Sequence, residues 1–264
     1  MTDAATRPAG ARYWVALVLT GALGGLLSGL FGVGGGIVMV PLLIALAGMD
    51  QRRAATTSLA AILPTSIVGS LTYLANGHVD LVAGAIIAAG AVVGALIGSR
   101  LLRRIPLFWL RWLFIALLLV VAVRMVLVEP ERGASLELNV AVVLGYLALG
   151  LLMGIASGLF GIGGGVIAVP ALVAIFGVSD LIAKGTSLLV LVPTSLVGTL
   201  ANLRARLVDL PAGLVVGVTA TVAAVPGVAL ALIIPPRLSS VLFAVLLVLA
   251  AAQLTVSAVR AGRG

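Results

Sequence analysis

Two glycine-rich turns, and the hydroxyl residues that follow them, are the groups in this chain best suited to hold a ligand. Ser28-Gly-Leu-Phe-Gly-Val-Gly-Gly-Gly36 and Ser157-Gly-Leu-Phe-Gly-Ile-Gly-Gly-Gly165 each interrupt an apolar stretch. Pro41 and Pro170 follow, then Thr57-Ser58 with Pro64-Thr65-Ser66, and Thr186-Ser187 with Pro193-Thr194-Ser195. A helix that restarts after Gly34, Gly35 and Gly36, or after Gly163, Gly164 and Gly165, exposes backbone N–H groups at its positive end, which suits an anion. The competing reading is a tight turn, for which glycine is the default residue. Nucleotide binding is excluded on pattern: the run follows a membrane segment, not a strand, and no Gly-Lys-Ser/Thr closes it.

Ser58, Thr65, Gly69 and Thr72 are spaced by seven, four and three residues and so share one helical face, with Ser187, Thr194, Gly198 and Ala201 as their counterparts. Pro64 and Pro193 release the carbonyls of Ala60 and Leu189. The hydroxyls then either re-satisfy the kinked backbone or donate to substrate oxygens in a cavity walled by glycine. Lys184, two residues before Thr186, either snorkels to the interface or draws an anion into the pathway. Asp80 and Asp209 precede equivalent segments and fit helix N-caps, with a proton relay as the alternative. His78, the single histidine, falls in an outward loop and reads as a solvated side chain. Cysteine is absent, and no nucleophile–base pair or metal cluster falls in the membrane segments. Catalysis, a cofactor and a metal are therefore not expected.

The elements that must position these groups are membrane helices. With 62% hydrophobic and only 9% charged residues, most of the chain needs lipid or a fully buried surround. The net charge of +8 reflects loop arginines, which orient a membrane protein, so nucleic acid is not a partner. Gly21–Pro106 aligns without a gap on Gly150–Pro235 at an offset of about 129 residues, with about 39 of 86 positions identical. The expected layout is a tail over 1–12, a membrane repeat over 13–128, a loop over 129–139, a second repeat over 140–259 and a tail over 260–264. The apolar segments are Tyr13–Leu30, Ile37–Met49, Ala54–Ala75, Leu81–Leu102 and Leu107–Val128, then Val140–Leu159, Val166–Gly177, Ala183–Leu203, Leu210–Ile233 and Leu238–Val259. Ile37–Met49, about 13 residues and some 20 Å long, is short for a crossing.

Basic residues select the topology. If each repeat crosses an odd number of times, Arg7, Arg12, Arg52, Arg53, Arg100, Arg103, Arg104, Arg111, Arg204, Arg206, Arg260 and Arg263 share one face, leaving Arg124, Arg132, Lys184 and Arg237 opposite. Four crossings per repeat would split them evenly. The odd model inverts the second repeat, puts both termini in the cytoplasm and places a pseudo-two-fold axis in the membrane plane. The expected fold is thus an all-α membrane protein of two inverted repeats with glycine-broken or re-entrant short helices.

The duplicated Gly-Leu-Phe-Gly-x-Gly-Gly-Gly-x-x-x-x-Pro pattern with its downstream Pro-Thr-Ser, spanning nearly the whole chain, resembles the TauE/SafE family of sulfite exporters. The resemblance implies a prokaryotic inner-membrane permease with about eight membrane segments, for sulfite, sulfoacetate or related organosulfonates and carboxylates. Eight segments agree with ten apolar stretches if the two short ones are re-entrant. The combined expectation is a secondary transporter holding a small anion between Gly34–Gly36, Gly163–Gly165, Thr57, Ser58, Thr65, Ser66, Thr186, Ser187, Thr194 and Ser195. A non-transporting membrane scaffold, or a carrier of a different small solute, is the competing class.

Overall fold

Glycine and proline punctuation divides the apolar chain into ten α-helices in a computed structural model that describes residues 10–127 and 139–261. The first half holds α1 (Ala11–Phe31), α2 (Gly36–Ala47), α3 (Gln51–Ala75), α4 (Leu81–Arg104) and α5 (Leu107–Leu127). The second holds α6 (Val140–Phe160), α7 (Gly165–Ala174), α8 (Asp180–Arg204), α9 (Leu210–Ile233) and α10 (Pro236–Ala261). No strand occurs among the described residues. Residues 1–9, 128–138 and 262–264, which include most of the expected tails and inter-repeat loop, lie outside them.

Local chemistry explains the boundaries. Asp80 accepts the N–H groups of Val82 and Ala83 at the start of α4, and Asp209 that of Ala212 at the start of α9, so both are N-caps as expected. Asp50 caps α3 through Arg52 and Arg53, which starts that helix three residues before the expected Ala54. Helix α8 likewise begins three residues before the expected Ala183, at Asp180, but without a side-chain cap from Ser179. At the other end of the first helix in each repeat, Gly32 and Gly161 sit in the left-handed region at φ 70° and 69° and close the turn onto the Ser28 and Ser157 carbonyls. Gly35 and Gly164 then enter α2 and α7 at φ 77° and 82°. An L side chain is strained in this conformation, so glycine is what lets each helix stop and restart within a few residues.

Two-fold inversion is visible where α3 crosses α8. Gly69 packs against Leu188, and Gly198 against Leu59. These are the same pair of repeat positions with the partners exchanged, so the helices run antiparallel and the repeats swap places about an axis near Pro64 and Pro193. Small-residue faces hold the rest together. Gly21, Gly25 and Gly29 of α1 lie on Val216, Ala220 and Ala224 of α9, and Gly150, Gly154 and Gly158 of α6 lie on Ile87, Ala91 and Ala95 of α4. Both pairs advance in the same direction and are therefore parallel.

These directions decide the course of the chain. Gly213 of α9 meets Thr57 of α3 and Gly217 meets Ala61, so α1 and α3 both run parallel to α9 and start on one face. Consequently α2 returns to the face that α1 left. At 12 and 10 residues, α2 and α7 reach about 18 and 15 Å, well short of a hydrocarbon core about 30 Å thick. They are the returning limbs of re-entrant hairpins. Seven helices, α1, α3, α4, α6, α8, α9 and α10, are long and apolar enough to cross a membrane, and α5 is apolar over Leu107–Val123. Arg12, Arg52, Arg53, Arg100, Arg103, Arg104, Arg111, Arg204 and Arg206 gather at the face where α1 and α3 begin, and Lys184 and Arg237 lie at the other end of the bundle.

Candidate functional site

The two glycine breaks meet each other inside the bundle. A methyl group on Gly36 would lie 2.5 Å from the Ile162 Cα, and one on Gly165 would lie 2.6 Å from the Val33 Cα. Only hydrogens fit between these backbones, so the starts of α2 and α7 lie side by side, and every residue from Phe31 to Ile37 and from Phe160 to Val166 is buried. Within the first turn, the Val38 and Met39 N–H groups return to the Gly35 carbonyl, and those of Ile167 and Ala168 to Gly164. The N–H groups of Gly36, Ile37, Gly165 and Val166 have no acceptor within their own helices. Gly34 and Gly163 both face Ile62 and Leu191, equivalent residues of α3 and α8 that are fully buried. An aliphatic pair therefore fills the centre, with the glycine turns on either side.

The expected hydroxyls fall into three groups. Those beside the prolines are committed to their own helices: Thr65 donates to the Ala61 carbonyl at 2.9 Å and Thr194 to Val190 at 2.7 Å. Ser66 donates to Leu63 at 2.9 Å and Ser195 to Leu191 at 2.6 Å. The threonine acceptors are the carbonyls next to Ala60 and Leu189, not the two that the prolines release. A second group ties the repeats together, because Thr57 Oγ1 accepts the Asp209 N–H at 3.1 Å and Thr186 Oγ1 accepts the Asp80 N–H at 2.9 Å. As acceptors there, both keep their own hydrogens to donate. Ser58 donates across the interface to the Gly161 carbonyl.

The third group is buried and unpartnered. Ser187 Oγ has no hydrogen-bond partner among the described residues, nor have Ser28 Oγ and Ser157 Oγ. Ser28 and Ser157 were not among the expected ligands, although identity at the head of both glycine motifs was the available signal. The α3 position occupied by Tyr73, whose hydroxyl donates to the Gly29 carbonyl at 2.8 Å, is taken in α8 by Asn202, whose buried amide has no partner among the described residues.

Lys184 neither snorkels nor presents a free charge. It is 2% exposed, with Nζ 2.6 Å from the Asp180 carboxylate and 2.8 Å from Ser239 Oγ on α10. Its backbone packs against Gly32, so the pair borders the first glycine break. Gln51 and Ala55 stand at the equivalent places in the first repeat, which makes this ion pair a property of the second repeat alone. The i,i+4 spacing of Asp180 and Lys184 was present in the sequence, but a segment begun at Ala183 hid it. His78 lies in the α3–α4 loop and its carbonyl packs on Gly185. Among the described residues no three His, Asp or Glu side chains converge on a point that could hold a metal.

The model of the sulfite exporter TauE/SafE family matches residues 3–125 and 146–263, one segment for each repeat. A probable membrane transporter protein of Xylella fastidiosa (strain 9a5c) is 32% identical over 193 residues, covering 72% of this chain and 74% of that protein. The probable membrane transporter protein YdhB of Bacillus subtilis is 26% identical over 196 residues, covering 73% and 80%. A shorter similarity, 35% over 119 residues, joins the chain to a probable membrane transporter protein of Methanocaldococcus jannaschii. These relatives are named as probable membrane transporters, and seven of the ten described helices are long and apolar enough to cross a membrane. This multi-pass membrane protein, built from two inverted repeats, belongs to the sulfite exporter TauE/SafE family of membrane transporters.

Proposed function

We propose that the protein is a secondary transporter that moves a small oxyanion, of the sulfite or organosulfonate class, across the cytoplasmic membrane by alternating access. The observation that carries this reading is the meeting of the two glycine breaks, which brings the positive ends of α2 and α7 together in a buried place. Helix restarts of this kind attract anionic groups, and non-helical backbone at membrane depth is tolerated where it lines a pathway. The donors available to an oxyanion are the first-turn N–H groups after Gly34–Gly36 and Gly163–Gly165, the hydroxyls of Ser28, Ser157 and Ser187, and the hydrogens of Thr57 and Thr186. Thr65, Ser66, Thr194 and Ser195 join them only by giving up a bond to their own helix. Donors without carboxylates suit an anion and not a cation. A sulfonate or sulfite group offers three oxygens to such a set.

Inversion supplies the alternation. Because the repeats are related by a two-fold axis, exchanging their conformations produces a second state open to the opposite face, with Ile62 and Leu191 as the barrier between faces. The excess of arginine at the face where α1 and α3 begin supports a cytoplasmic location for that face. Purified protein in sealed proteoliposomes, tested against a panel of sulfite, organosulfonates, carboxylates and chloride, should carry the sulfur oxyanions. Absence of flux for every anion, or flux of cations only, would overturn the proposal.

A further inference from the structure

The arginine-rich face contains a cavity of about 500 Å³, lined by Asp50, Arg52, Arg53 and Arg206 together with Leu107 and Leu207. It joins the start of α3, from one repeat, to the α8–α9 loop of the other. The Asp50 carboxylate is turned onto the α3 amides of Arg52 and Arg53. Arg53 is paired with Asp209 at 2.6 Å. Among the described residues Arg52 meets no carboxylate: Nη2 donates to the Ile105 carbonyl at 3.0 Å, and its Nε is buried without a partner. Arg206 is exposed, and its side chain has no ion pair or hydrogen bond among the described residues. Three guanidinium groups thus face two carboxylates, and both carboxylates are already engaged.

Arg206 also sits where a side chain is costly. At φ 56° it is the one non-glycine residue with positive φ among the described residues, whereas its counterpart in the first repeat is Gly77 at φ 74°. The left-handed conformation is unfavourable for an ordinary L-residue, so the second repeat accepts strain at a turn that the first builds with glycine. What it gains is a guanidinium at the cavity. The two-fold relation sharpens the contrast, because the positions matching Asp50, Arg52, Arg53 and Arg206 at the other mouth are Ser179, Leu181, Ile182 and Gly77. One mouth is basic and its twin is not. Behind the basic mouth, Arg53 holds Asp209, whose N–H is bonded to Thr57 Oγ1, and Thr56 donates to the Leu207 carbonyl that lines the cavity. The cavity therefore adjoins the Thr57–Ser58 turn of the candidate site.

We infer that this vestibule is a loading site for a small oxyanion, held chiefly by Arg52 and Arg206 before it passes to the central donors, and that it makes the protein take up anion preferentially from this face. The inference rests on the transport reading for its purpose but not for its test. Absence of native cysteine lets single thiols report on each mouth: Val208→Cys at the basic one and Val79→Cys, its equivalent, at the other. In detergent-purified protein, an anionic maleimide should modify Val208→Cys about tenfold faster than a neutral maleimide, while the ratio at Val79→Cys stays near one. The charges of Arg52 and Arg206 are removed by Arg52→Gln with Arg206→Gly, the latter supplying the residue the first repeat already uses at that turn. This double change should abolish the preference and weaken protection of the thiol by methanesulfonate by roughly ten- to a hundredfold, the loss of charged hydrogen bonds. An anionic preference that is equal at both mouths, or unaffected by the double change, overturns the inference. Protection by phosphatidylglycerol micelles but not by methanesulfonate would identify a lipid headgroup as the ligand and equally overturn a loading role. If the proteoliposomes carry no anion while methanesulfonate still protects Val208→Cys, the transport reading fails and the anion site stands.

Discussion

Ser58 and Ser187 occupy the same position in the two repeats and are bonded differently. Ser58 donates its hydroxyl to the Gly161 carbonyl, and Ser187, buried against Gly165, has no partner among the described residues. One serine closes the interface and the other leaves a donor free at the glycine break. Ser58→Ala should therefore destabilise the folded protein by about 1–3 kcal/mol by leaving a buried carbonyl unpaired. Ser187→Ala should leave stability nearly unchanged and weaken anion transport by about tenfold. Thermal unfolding in detergent alongside flux in proteoliposomes measures both, and equal destabilisation by the two changes would contradict the asymmetry.

The re-entrant course of α2 and α7 sets the sidedness of loops. Cysteines replacing Arg53 and Arg103 should react with an impermeant thiol reagent from one face of the membrane, and a cysteine replacing Gly177 from the opposite face only. Reaction of positions 53 and 177 from the same face would be incompatible with the hairpins.

Ile62 and Leu191 fill the centre between Gly34 and Gly163, so they act as a shared barrier. Ile62→Ala combined with Leu191→Ala should cost stability, at about 2–5 kcal/mol for each truncation, and should raise passive anion leak from loaded proteoliposomes. A double variant that is folded and as tight as the parent would show that the barrier lies elsewhere.

The Lys184–Asp180 pair is buried in a membrane helix, where a lone charge is far more costly than a neutral pair. Lys184→Met alone should destabilise the protein by about 3–5 kcal/mol because Asp180 is left without its counter-ion. Adding Asp180→Leu should recover most of that loss. Denaturation curves of the single and double variants test this, and additive losses would show that the two charges are not coupled.

Glycine substitutions divide by what surrounds them. Around Gly35 and Gly164 a new Cβ meets the backbones of Gly24 and Met153. Gly35→Ala and Gly164→Ala should therefore lower both stability and transport, and stability is the measurement that separates them from ligand contacts. Intact stability with lost transport would place these glycines in the pathway and not in the packing.

Much of the architecture is local and could be read from the residues in order. Apolar runs of bilayer length, the glycine and proline interruptions, and the recurrence of Ser-Gly-Leu-Phe-Gly and Pro-Thr-Ser at a constant spacing yield ten helices in two repeats, while the lopsided distribution of arginine implies inversion. Helix starts were less legible, since α3 and α8 each begin three residues before the apolar run that marked them, and only α3 has a side-chain cap there.

What only the tertiary structure decided is which side chains meet. Ser58 with Gly161, Arg53 with Asp209 and Lys184 with Ser239 are separated by 103, 156 and 55 residues. Such partners are set by the rotation of each helix about its axis. In a soluble protein an apolar stripe against a polar face reveals that rotation, but these helices are apolar toward lipid and toward each other alike, so the sequence carries little azimuthal signal. Small-residue faces such as Gly21, Gly25 and Gly29 mark a contact without naming the partner. The assignment of hydroxyls to helix carbonyls, to the opposite repeat or to no partner therefore emerged only once α3 and α8 had crossed at their prolines.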